Sequence, residues 1–200
     1  MAIYHAKDNS FKLILGNHEL FVEFLRDFIS IDLLKDIQPE DIEDLTERFL
    51  PLFQNAQDSD MVKRINLKGE APLFVIAIVE HESQVNYRSS FKLLQYITLV
   101  LDSYEKDANR ETPGISATRD FRYPPVLPVI FYDGKAPWTA EKNFLNRTAL
   151  NGLFRKYIPK FEYELVDLNR YTREDILRFN DMLSFIMLID KIETHDGFRS

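Results

Sequence analysis

The sequence contains no cysteine, which removes disulfides, thiolate zinc sites and cysteine nucleophiles from consideration. It has no apolar run near the roughly 20 residues of a membrane span. Its first ten residues, MAIYHAKDNS, lack the apolar stretch of a secretory signal. A cytoplasmic location without a membrane partner is therefore expected. Glycine is scarce, at six of 200 residues, and no glycine-rich phosphate loop, Walker A text or Ser-His-Asp series is present. Repeats and low-complexity linkers are missing as well. Cations are in deficit, 25 Lys and Arg against 32 Asp and Glu. The resulting net charge of −7 argues against one broad nucleic-acid-binding face but is compatible with a local basic groove. What is present is a chain 45% hydrophobic and 13% aromatic, long enough to form one domain, 1–200, with a substantial core.

The rest of the chain is organised around Leu73–Tyr104. LFVIAIVE is seven apolar residues followed by Glu80. A run of that kind without alternation suits a strand covered on both faces, in the middle of a sheet. A carboxylate closing such a strand is costly unless a metal ion or a basic partner compensates it. Glu82 follows two residues on; in a continuing strand it points the same way as Glu80, about 7 Å away at the Cα.

Upstream, residues 58–66 alternate as a strand, and Lys68-Gly69-Glu70 supplies a turn back into the buried strand. This hairpin predicts that Asp60 falls opposite the end of the buried strand, near Glu80. Directly opposed residues have Cβ atoms about 4.5–5.5 Å apart, and no Lys or Arg beside them in sequence offsets their repulsion. Asp60, Glu80 and Glu82 form an oxygen-only set of the kind that Mg²⁺ or Mn²⁺ prefers.

In chain order, Phe11–Phe28 shows helical spacing with a break at Gly16-Asn17 and Asp8 or Ser10 as candidate caps. Residues 29–43 read as a short helical or loop connection, and Thr46–Phe53 as a first strand. A helix is predicted over Tyr87–Tyr104, with Phe91, Leu94, Leu101 and Tyr104 on one face, and a polar loop over Asp107–Arg119. YPPVLPVIFYDG reads as a second buried strand, so strand, helix and strand make a right-handed parallel crossover. Ala140–Tyr157 is predicted mostly helical with a candidate interruption at Asn151-Gly152, Phe161–Leu168 a strand, and Thr172–Ile192 a helix capped by Thr172. The expected class is α/β: an α-β-β-β-α-β core with a mixed sheet flanked by helices, and an appended C-terminal helix-strand-helix.

With an acid on the second strand and E-x-(Q/K) ending the third, that order resembles the core of PD-(D/E)XK nucleases, the restriction-endonuclease-like fold. More specifically, the chain resembles the Rpn/YhgA-like group of transposases and recombination-promoting nucleases. The matching text, in order, is KDNSFKLIL, DSDMV at Asp58–Val62, IVEHES at Ile78–Ser83, FKLLQY at Phe91–Tyr96, PPVLPVIFYDG with Trp138, and FEYELVDLNRY at Phe161–Tyr171. It spans essentially the whole chain. The resemblance implies a Mg²⁺- or Mn²⁺-dependent DNA endonuclease, linked to transposition or recombination, with Asp60 and Glu80 as metal ligands. DNA is then the partner, and self-association stays open. One departure stands out. The group reads E-H-Q-S where this chain reads E-H-E-S, so Glu82 replaces Gln, and the lysine of the wider superfamily is missing there. Glu82 supplies no positive charge; it either ligates a second metal or marks a weakened activity. Lys92, on the following helix, is the candidate to stand in for the lysine. Relatives continue further, which implies a C-terminal extension that this sequence lacks.

Plainer readings stand beside these. Asp60 alone is an ordinary strand-edge acid, Glu82 a solvated one and Lys92 a solvent-facing helix lysine. His81, between two same-face acids, points away from them. Asp133 serves an Asp-Gly turn, and Trp138 is a packing anchor. Arg119, Arg122, Arg147, Arg155 and Lys156 could contact phosphates, with scattered surface charge as the default. A nuclease-fold protein that no longer cuts and acts by DNA binding or protein association is the alternative function.

Overall fold

The computed structural model describes residues 15–53, 60–80, 85–132, 134, 136–167 and 170–178; the side chains of residues 79, 80 and 173 lie outside that description. Five strands form one mixed sheet in the order β1-β2-β3-β4-β5: β1 Ile42–Asp44, β2 Met61–Ile65, β3 Leu73–Glu80, β4 Val126–Tyr132 and β5 Glu164–Asp167. The first three are antiparallel neighbours, and β3, β4 and β5 run parallel. The helices are α1 His18–Phe28, the single turn α2 Thr46–Phe49, the long α3 Ser89–Glu111, and two short pieces, α4 Asn151–Phe154 and α5 Arg173–Leu177.

β3 is central and covered on both faces, as its unbroken apolar run predicts. Val75 and Ala77 pack with Leu20, Phe21, Phe24 and Leu25 of α1. Phe74, Ile76 and Ile78 pack with Leu93, Tyr96 and Val100 of α3. The chain passes from β3 through α3 to β4, the predicted crossover. Asn17 breaks the first helical segment where expected and caps α1, its side chain accepting from the backbone N–H groups of Glu19 (2.9 Å) and Leu20 (3.1 Å). The candidate caps Asp8 and Ser10 lie outside the described residues.

The hairpin turn is centred on Gly69, whose φ of +78° is left-handed. A Cβ there meets nothing within 4 Å, so the requirement comes from the backbone alone. Gly69→Ala is expected to cost about 1 kcal/mol in urea unfolding, with the slope unchanged.

Four sequence expectations need correction. The first strand is Ile42–Asp44, not Thr46–Phe53, because the Asp44 carboxylate accepts from Thr46 N–H (2.8 Å) and turns the chain into α2. Pro51 then falls in a short 3₁₀ turn that ends the segment. The buried face of α3 is Leu93, Tyr96 and Val100, rotated from the predicted Phe91-Leu94-Leu101 stripe; of that set Tyr104 packs on Phe74 in the core, while Phe91 is 45% exposed and stacks on Phe144 at the edge. α3 also runs to Glu111, into the stretch predicted as loop, because its polar second half still carries an i,i+4 ion pair, Asp102–Lys106 (2.6 Å). Residues 140–157 form separate single turns rather than a mostly helical segment, since Asn143 caps a 3₁₀ turn and Leu150 adopts φ +56° before α4, beside the interruption expected at Asn151-Gly152. At the C-terminal end, Thr172 caps α5 in a capping box with Asp175; the predicted helix beyond 178 lies outside the described residues.

Candidate functional site

β2 begins and β3 ends at the same end of the sheet, beside the first turns of α3. Asp60, just before β2, is fully buried, with 0% of its surface exposed. Two side chains from α3 converge on one of its carboxylate oxygens. Lys92 Nζ lies 2.8 Å from Oδ2, and the Tyr96 hydroxyl donates to the same atom at 3.0 Å. Lys92 and Tyr96 are four residues apart, so the helix sets them on one face, one turn apart. The Tyr96 ring is fixed in turn by Phe53, stacked at 3.6 Å between centroids and 10° between planes. The Lys92 ammonium lies 5.5 Å from the centre of that ring. Charge, hydrogen bond and ring stacking thus hold a buried carboxylate that would be costly alone.

Lys92 is 12% exposed and is therefore not the solvent-facing helix lysine of the plainer reading. The cation missing beside Asp60 in sequence is supplied through the crossover, by Lys92 from α3. The strand register adjusts a second expectation. Met61 lies across from Ala77, so one step back places residue 60 across from Ile78, with Glu80 two positions farther along β3. Asp60 and Glu80 are staggered rather than directly opposed. The backbone of Glu80 closes β3 in register with Tyr132 of β4. The Glu80 side chain, and Glu82 and His81 entirely, lie outside the described residues, as does Asp133. Among the described residues no three metal-ligating side chains cluster, and no helix is long and apolar enough to cross a membrane.

A family model described as "Putative transposase, YhgA-like" matches residues 5–200. The chain belongs to this family. No curated protein and no solved structure matches it. In this YhgA-like chain, Trp138 is the packing anchor expected, its Nε1–H donating to the Tyr163 hydroxyl at 3.0 Å and its ring set edge-on to Tyr132.

Two polar positions escaped the sequence reading. Tyr96 lay inside the FKLLQY text without a role; its spacing from Lys92 was the available signal. Asp167 closes β5 and is buried, with Arg170 at 3.2 Å, yet in sequence it reads as an ordinary strand-end acid. A separate cleft of about 170 Å³ between β1, β2 and the middle of α3 contains neither Asp60 nor Lys92. Arg48 and Asp107 bridge it at 2.6 Å.

Proposed function

We propose that this YhgA-like chain is a metal-dependent DNA endonuclease whose working groups are Asp60, Glu80, Glu82 and Lys92. The observation that carries this reading is the Lys92–Asp60 pair. A buried acid at the start of a strand is matched by a lysine on the helix that follows the next strand, and both sit where the sequence places Glu80 and Glu82. The donor set is carboxylate oxygen alone, which fits Mg²⁺ or Mn²⁺ and does not fit zinc in its usual nitrogen and sulfur ligation. Asp60, Glu80 and Glu82 would hold the ion. When bound, it supplies an activated water and a positive charge beside the scissile phosphate.

The remaining roles belong to the protein's own side chains. Lys92 provides the cation that the Glu82 position lacks, and its ammonium is within reach of a phosphate oxygen that approaches Asp60. That charge offsets the negative charge on the phosphoryl oxygens as the water oxygen bonds to phosphorus and gives up a proton, and as the P–O bond to the sugar breaks with its oxygen leaving protonated. Tyr96 is a positioning residue: it holds Oδ2 and so fixes the direction in which the Asp60 carboxylate presents itself.

Glu82 favours a second reading, a disarmed family member that binds DNA without cutting it. Nicking of supercoiled plasmid separates the two. Nicking that requires Mg²⁺ or Mn²⁺ and disappears in Asp60→Ala and Glu80→Ala is the expected result. Equal nicking by all three proteins would refute the assignment. A silent protein that gains activity on Glu82→Gln would establish the disarmed reading.

A further inference from the structure

Residues 142–161 carry five Lys or Arg and no Asp or Glu, in a chain whose net charge is −7. Of these cations, Lys142 faces Glu164 at 3.8 Å. Arg147, Arg155, Lys156 and Lys160 are exposed and have no ion-pair partner among the described residues. By contrast, Arg122 is tied to its own loop, donating to the carbonyls of Arg119 and Phe121. The same short stretch presents apolar and aromatic surface to solvent, with Leu153 79% and Tyr157 70% exposed. Lys156 lies 5.0 Å from the centre of the Tyr157 ring.

This ridge is anchored to the candidate site. Phe144 stacks between Phe91, the neighbour of Lys92 on α3, and Phe161 of the ridge's far end. The Tyr87 hydroxyl, just before α3, is 2.8 Å from Thr139 Oγ1. The ridge and the first turns of α3 are therefore one packed unit.

We infer that Arg155, Lys156 and Tyr157, with Arg147 beside them, form a binding track for single-stranded DNA leading to the Asp60–Lys92 site. The inference rests on the nuclease reading for the track's purpose but not for its binding. Unpaired cations supply contacts to phosphates, and an exposed ring beside a cation supplies a stacking platform for an unpaired base, which a closed duplex does not present. The elements are single turns rather than a long amphipathic helix, so the apolar side chains form a corner, not the flat stripe that lies in a membrane surface.

The test is fluorescence anisotropy of a labelled oligothymidine of about 20 nucleotides, in EDTA so that binding is read without cleavage. R155E/K156E should weaken binding about tenfold or more, and Tyr157→Ala about tenfold. With phosphate contacts from Arg147, Arg155 and Lys156 the slope of log affinity against log salt is about −2, falling to about −0.7 in R155Q/K156Q and unchanged in Tyr157→Ala. Circular dichroism checks that the variants remain folded. Absence of wild-type binding, or equal binding by every ridge variant, overturns the inference. So does a wild-type preference for vesicles containing about one quarter phosphatidylglycerol that the same variants abolish. Binding without any metal-dependent nicking would refute the nuclease and leave the track standing; nicking untouched by ridge variants would refute the track alone.

Discussion

Lys92→Met is expected to lower metal-dependent plasmid nicking by about 10²- to 10⁴-fold and to destabilise the fold by about 3 kcal/mol. The two effects have separate causes. Activity falls because the phosphate loses its cation. Stability falls because Asp60, fully buried, loses the ammonium 2.8 Å from its Oδ2. The double variant Asp60→Asn/Lys92→Met removes both charges, so it should recover most of the lost stability while remaining inactive. Lys92→Arg should keep much of the stability, because the charge is retained, while its planar group fits poorly where a compact ammonium sits. Urea unfolding with nicking rates on wild type, Asp60→Asn, Lys92→Met and the double variant forms a double-mutant cycle. Full nicking by Lys92→Met would remove Lys92 from the mechanism, and additive stability effects in the cycle would deny the pair any coupling.

The second large effect lies on the opposite face of the sheet, where Asp44→Ala is expected to cost about 3 kcal/mol and Lys63→Met less than about 1 kcal/mol. Lys63 is 1% exposed and Asp44 39% exposed, with 2.8 Å between Nζ and Oδ2. Removing Asp44 strands a buried ammonium whose other close contact is the Phe21 ring, 5.4 Å to its centre. Removing Lys63 puts an apolar side chain of similar size into an apolar surround and leaves Asp44 to water. Burial, the largest single influence on Asp44, pushes its pKa up; the hydrogen bonds from Lys63 and from Thr46, with the Lys63 charge, together bring it below the usual carboxylate value. A depressed folded-state pKa contributes stability that is present above the unfolded value of about 3.9 and is lost as pH falls through the folded one. Urea unfolding from about pH 6 down to about pH 2.5 should show this loss in wild type and a shallower acid slope in Lys63→Met. Parallel acid slopes would mean that the pair contributes no pH dependence.

Much of the sheet was legible because its signals are local. The apolar run Leu73–Val79, the left-handed position at Gly69 and the proline-led strand ending at Tyr132 each state their own conformation. β1 was not legible: three residues, two of them acids, carry no alternation to detect, and the apolar spacing of Thr46–Phe53 belongs to a helical turn that buries Phe49. Residues 140–157 had helical periodicity but too many asparagines competing for backbone partners to sustain a helix. At the site, chemistry was legible and pairing was not. Asp60 and Lys92 were each recognisable candidates, yet nothing local links a hairpin residue to a helix beyond the next strand. The handed crossover makes that link.

That crossover also sets when the site comes into being. The β2–β3 hairpin joins near neighbours through a short turn and can form within microseconds, whereas β4 reaches β3 only after the whole of α3 has been laid across the sheet. Asp60 travels with the early hairpin and Lys92 with the late helix. Until α3 is laid on the hairpin, the acid has no lysine. A YhgA-like polypeptide still emerging from the ribosome, or clipped before Val126, would therefore carry both halves of the pair in its sequence while lacking β4, whose Ile130 and Tyr132 share the core with Leu93 and Tyr96 of α3.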